Sequence, residues 1–196
     1  MLRYPKSLAL LAGAVSSLGF APLGLWPATL GALAVLLWLI ADASSLRRAA
    51  LIGWLFGLGH FTFGNGWIAT AFTYQAEMPA WLGWIAVVLL AVYLAVYPAL
   101  AAAGTFALVR YLRRSDRIAH HKLPLILAFA ALWTITEWLR SWVFTGFVWN
   151  PLGMVTLGPW ARPGLALLAP WLGTYALSAL VVLVAGCWLA AARGKA

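Results

Sequence analysis

LPLILAFAALWTITEWLRSWVFTGFVWN, Leu123–Asn150, begins as a run suited to lipid and then places Glu137 and Arg140 one helical turn apart. Its first part, 123–145, has about the 20 apolar residues that a bilayer crossing needs. It then leaves the helix through Thr145-Gly146 into an aromatic tip ending at Trp149-Asn150. An isolated charge inside a span is costly. Glu and Arg at i and i+3 share one helix face, so they are expected to pair toward the bundle interior or toward a cavity opening outward. A rise of about 1.5 Å per residue from Lys122 puts Glu137 roughly 20 Å and Arg140 roughly 27 Å along the span, in its outer half. Two readings of the pair stand open: an ion pair that locks helices together, or an Arg140 that offers a fixed positive charge to an anionic headgroup.

The rest of the chain has the same character. Its 196 residues are 65% hydrophobic and only 9% charged, with mean hydropathy +0.94. Soluble domains are about 45–50% apolar and about 25% charged, so the fold class is all-α, a polytopic membrane helical bundle. Six apolar segments, 7–22, 27–42, 49–72, 80–109, 123–145 and 164–191, predict about six transmembrane helices in one transmembrane domain, 1–196. FAPLGLWP (Phe20–Pro27) reads as a tight turn between the first two. Pro170 predicts a broken or re-entrant start to the sixth. Arg3 and Lys6 ahead of an apolar run imitate a signal peptide, but a turn and a second span follow at once, which favours an internal first span.

With six spans, every Lys and Arg except Arg140 and Arg162 falls at the N-terminus, near 43–48, in 110–122 or in the C-terminal tail. The positive-inside rule then makes both termini cytoplasmic. It also removes nucleic acid as a partner despite the net charge of +9, because charges that flank spans serve topology and anionic headgroups. The single cysteine, Cys187, excludes an intrachain disulfide framework and a multi-Cys metal site. His120-His121 is the one other metal candidate. Adjacent histidines point apart and no carboxylate cluster supports them, so neither a metal nor a cofactor is expected.

GWLFGLGHFTFGNGW in the third span carries Gly53-x-x-x-Gly57, a small-xxx-small pattern that lets helices approach closely. His60, about halfway along it, and Asn65, near its outer end, are intramembrane polar residues that need partners. Trp26, Tyr74, Trp81, Trp142, Trp149 and Trp160 fall near the outer interface. An aromatic belt accounts for most of them, but not for Glu137 and Arg140.

These residues carry a family resemblance. ALWTITEWLRSWVFTGFVWNPLG (Ala131–Gly153) resembles a span and periplasmic loop of the bacterial apolipoprotein N-acyltransferases, with their E-[FW]-L-R-[GS]-W and T-G-F-P-W signatures. GFAPLGLWP (Gly19–Pro27), GWLFGLGHFTFGNGWI (Gly53–Ile68), LAVYLAVYPALAAA (Leu90–Ala103) and LALLAPWLGTYALSALV (Leu165–Val181) match in the same order. The resemblance implies a multi-pass protein of the bacterial inner membrane. It implies transfer of an acyl chain from a phospholipid to the α-amino group of a lipoprotein's N-terminal diacylglyceryl-cysteine. The family performs this with a Glu-Lys-Cys triad on a periplasmic nitrilase-like domain, and Trp149 matches its functionally important tryptophan. The lipid or substrate candidates are therefore Trp149, Arg140, Glu137 and Asn150.

Two departures qualify the resemblance. Val148 stands where the signature has proline, which removes a conformational restraint before Trp149. After Leu189 the sequence runs to AARGKA without the nitrilase-like domain, and Cys187, in VAGCWLAA near the inner end of the last span, has no Glu and Lys to activate it. No catalytic residue is expected within 1–196. The expected partners are phospholipid, apolipoprotein and a separately encoded nitrilase-like chain. A non-catalytic lipid-binding or transport protein, or an inactive fragment, is the alternative.

Overall fold

The computed structural model describes residues 4–74, 79–113, 122–144, 146–158 and 164–193. Nine α-helices are formed among them and no strand: α1 Pro5–Ser16, α2 Trp26–Ala41, α3 Leu46–Gly64, α4 Trp67–Phe72, α5 Trp81–Leu94, α6 Val96–Leu112, α7 Leu123–Arg140, α8 Ala169–Leu172 and α9 Thr174–Arg193. Helix starts follow local chemistry. Proline opens α1, α2 and α7, at positions where its missing N–H has no helical partner to lose. Ser45 caps α3, its hydroxyl accepting the Arg48 N–H at 3.2 Å. Among the described residues, three stretches are long and apolar enough to cross a membrane: Trp81–Leu112, in which α5 and α6 run on from one another, Leu123–Arg140 and Thr174–Ala192. α2 is a shorter apolar helix. The protein is an all-α membrane bundle.

The helix boundaries differ from the six apolar segments at several places, and the first segment is helical only to Ser16, with a 3₁₀ turn at Ser17–Gly19, rather than to 22. The third breaks after Gly64, where Asn65 and Gly66 separate α3 from α4. The fifth ends at Arg140 rather than at 145, because the Phe147 N–H bonds back to the Arg140 carbonyl at 2.8 Å and turns the chain. The sixth starts as a 3₁₀ turn, Leu165–Leu168, and the single turn α8. Its long helix begins only after Gly173, whose φ of 76° is open to glycine at little steric cost.

α3 is the central strut, because its glycines face two neighbours. A Cβ on Gly59 would strike the Leu10 carbonyl of α1, and one on Gly13 would strike the Phe56 carbonyl of α3. The Gly53-x-x-x-Gly57 face meets α6 instead, at Pro98, Ala102 and Ala95. Residue numbers rise together along the α1–α3 contact and oppose one another along α3–α6, so α1 and α3 are parallel and α6 is antiparallel to them. α7 and α9 are also antiparallel: Ile126 meets Gly186 at one end, and the turn capped by Glu137 meets Ser178 at the other. These directions gather Lys6, Arg47, Arg48, Arg110, Arg113 and Lys122 at one end of the bundle. Arg140 stands alone among the described basic residues at the opposite end.

Candidate functional site

Glu137 and Arg140 lie in the last turn of α7, 5% and 3% exposed. Their mutual contact is long, 3.8 Å from Arg140 Nη2 to Glu137 Oε1, and both are held mainly by backbone. Arg140 Nη1 donates to the Phe147 carbonyl at 3.0 Å and to the Trp149 carbonyl at 2.7 Å, while Nη2 reaches the Asn150 carbonyl at 3.5 Å. The guanidinium also lies over the Phe61 ring, 5.1 Å from its centroid, a further favourable contact for a cation. A positive charge in the last turn of a helix is favoured by the helix dipole as well. Glu137 Oε1 accepts the Leu152 N–H at 2.6 Å, a charge-assisted bond that caps the 3₁₀ turn Leu152–Thr156. The pair clamps the segment 147–152 from both ends.

Asn150 ties this segment to α3. Its φ of 51° is left-handed, a conformation that Asn tolerates better than most residues. Its Nδ2 donates to the Gly64 carbonyl at 2.7 Å and to Asn65 Oδ1 at 3.1 Å. The fully buried Asn65 is thus a strut at the α3–α4 break. His60 lies in the same end of the bundle, lining with Tyr97, Trp133, Glu137, Arg140 and Asn150 a cavity of about 10 Å³, room for roughly one water. Ser16 Oγ contacts both the Gly13 carbonyl, at 2.6 Å, and His60 Nδ1, at 2.7 Å. Ser16 has one proton and a carbonyl can only accept, so both bonds form together only when His60 Nδ1 carries the proton and Nε2 is left as an acceptor. Among the described residues, Asn65 Nδ2, Trp133 Nε1 and Glu137 Oε2 are buried with no hydrogen-bond partner.

Trp149 stands apart from this buried set. It is 53% exposed and packs its ring on Trp67, itself half-exposed at the start of α4, with centroids 5.1 Å apart. Val148 beside it is exposed too. Beneath the segment, a cleft of about 320 Å³ runs between Ser141, Val148, Pro151 and the start of α9 at Thr174-Tyr175, with Glu137 and Arg140 on its inner wall.

The structure thus brings together Glu137, Arg140, Asn150, Asn65 and His60 in one buried cluster, with Trp149 displayed on its outer edge. Sequence reasoning missed Ser16, Trp67 and Ser178. Ser178 Oγ accepts the Gly153 N–H at 2.8 Å, at a residue where Thr174 O and Leu177 leave no room for a Cβ. A small residue at 153 and a lone serine in an apolar helix were the available signals. Cys187 is exposed on α9, far along that helix from the cluster. His120, His121, Thr145, Trp160 and Arg162 lie outside the described residues. Among those described, no group of three His, Cys, Asp or Glu residues could hold a metal ion.

Residues 12–187 match the family model described as the apolipoprotein N-acyltransferase N-terminal domain. The chain belongs to that family. It is 38% identical over 195 residues to an apolipoprotein N-acyltransferase of Ralstonia nicotianae, covering 99% of this chain and 35% of that protein. Similarity to the protein of that name in Rhodopseudomonas palustris is 40% over 157 residues, 78% of this chain and 27% of the relative. For Allorhizobium ampelinum it is 37% over 186 residues, 90% and 33%. The chain therefore spans about a third of the length of the curated N-acyltransferases it matches. The buried cluster and its Trp149 segment lie wholly within the matched residues.

Proposed function

We propose that this chain is the membrane module of a lipoprotein N-acyltransferase. In this reading it is a multi-pass protein of the bacterial inner membrane with both termini cytoplasmic, and the Trp149 segment faces the periplasm. Phospholipid and lipoprotein meet the module at that segment. Acyl transfer, which forms an amide on the lipoprotein's α-amino group and releases a lysophospholipid, is carried out by a nitrilase-like domain. The Glu137–Arg140 clamp is the observation that supports this reading most directly. Two buried charges are spent on fixing the backbone of 147–152, which is justified if the half-exposed Trp149 has to be presented in one geometry. Arg140, with its Nη1 engaged by two carbonyls, acts through that geometry, while Trp149 makes the lipid contact.

The test is reconstitution. The 196-residue chain in phospholipid vesicles, with a nitrilase-like domain and a diacylglyceryl-lipoprotein peptide, is expected to co-purify with that domain and to support N-acylation. Trp149→Ala should lower the rate tenfold or more while leaving the unfolding temperature within about 2 °C, as a change away from the core does. Absence of association and of acylation with the unaltered chain, or full activity of the Trp149→Ala variant, would overturn the reading.

A further inference from the structure

The opposite end of the bundle holds a second cleft. It has about 480 Å³ of open space and lies between the N-terminal ends of α1 and α3, lined by Tyr4, Pro5, Lys6, Ser7, Arg48, Leu51 and Ile52. Its origin is geometric. The two helices touch backbone to backbone at Gly13 and Gly59, and toward their starts the cleft opens between them.

Its rim is cationic. Neither Lys6 nor Arg48 makes an ion pair among the described residues, where the Glu137–Arg140 contact is the one present. Of the two described carboxylates, Glu137 lies at the far end and Asp42, the C-cap residue of α2, does not line the cleft. Because α1 and α3 are parallel, both positive helix-dipole ends point the same way here, and no side chain caps the first turn of α1. Ser7 adds a hydroxyl. Below the charged rim the walls are Pro5, Leu51 and Ile52. A cationic rim over an apolar wall, at the basic end of a membrane bundle, is complementary to an amphiphile with an anionic head.

We propose that the cleft between the N-terminal ends of α1 and α3 binds one anionic glycerophospholipid. Its phosphate lies between Lys6 and Arg48, and its glycerol and upper acyl carbons lie against Leu51 and Ile52. The site is separate from the Trp149 segment and owes nothing to acyl transfer. Basic pockets between helices at the cytoplasmic side are a recognised setting for anionic headgroups, and each cation near the surface strengthens binding about fivefold.

Native mass spectrometry of the whole 196-residue chain, released from detergent with phosphatidylglycerol or with phosphatidylcholine of the same acyl chains, tests this. One phosphatidylglycerol should be retained at least tenfold more tightly than phosphatidylcholine. The double variant Lys6→Gln/Arg48→Gln should weaken it roughly thirtyfold, the product of two such charges. Lys6→Arg/Arg48→Lys should retain the lipid, and so should Arg110→Gln, a charge at the same end outside the cleft. Unfolding temperatures are followed in parallel. If the double variant does not fold, the exposed single change Lys6→Gln carries the test with a fivefold loss. Equal retention of phosphatidylcholine, or no loss in the glutamine variants, overturns the proposal. So does an equal loss in Arg110→Gln, which would indicate a diffuse field, or displacement by millimolar inorganic phosphate, which would indicate a site for free anion.

Discussion

The two ends of this bundle carry charge in opposite ways. At the end of α7, Arg140 and Glu137 are almost fully buried, and Arg140 and Glu137 Oε1 are held largely by the backbone of 147–152. At the starts of α1 and α3, Lys6 is exposed, Arg48 is half-buried, and neither has an ion-pair partner among the described residues. The same side-chain chemistry is structural in one place and available in the other. Burial makes the difference: a desolvated charge has to be satisfied within the fold, whereas a hydrated one keeps its capacity for a ligand.

The contrast can be broken at several points. Arg140→Ala should have the largest effect, about 3–5 kcal/mol of lost stability, because it frees three carbonyls and leaves Glu137 buried without its counter-charge. Thermal unfolding in detergent measures it, and a loss below about 1 kcal/mol would mean that the clamp is dispensable. Asn150→Ala removes two hydrogen bonds and puts alanine at a left-handed φ, so about 2 kcal/mol is expected by the same assay. Glu137→Gln keeps an acceptor for the Leu152 N–H but removes the charge beside Arg140. About 1–2 kcal/mol is expected, with lipid-independent unfolding. Arg48→Gln should change stability by no more than about 0.5 kcal/mol in detergent. Salt sharpens the comparison too. Raising ionic strength from about 0.05 to 0.5 M should weaken any effect of the exposed cations and leave the buried clamp nearly untouched.

Much of the fold was legible in the sequence, and the reason is hydrophobic length. The runs that form α2, α5–α6, α7 and α9 could be located because crossing a bilayer leaves little compositional freedom. Helix ends were less legible. α7 stops at Arg140 because of a bond from Phe147, and α3 stops at Gly64 where its carbonyl accepts a hydrogen bond from Asn150; neither partner is local. In the site, spacing alone put Glu137 and Arg140 on one face. It could not show that their main partners are main-chain groups up to fifteen residues downstream. The partners of Ser16 and Ser178 were hidden for a similar reason. One hydroxyl in an apolar helix looks the same whether or not it holds a distant histidine or amide.

The Asn150 tether also bears on the order in which the protein assembles. It joins residues 86 apart in sequence, whereas the glycine contact of α1 with α3 is complete once about sixty residues have emerged. Closing long-separated contacts costs chain entropy that only later packing repays. The α1–α3 pair needs only the first third of the chain, whereas the cluster around Asn150 cannot close until α7 and residue 150 are present. A chain interrupted before α7 would hold a paired N-terminal half whose Gly64 carbonyl and Asn65 side chain await their partner.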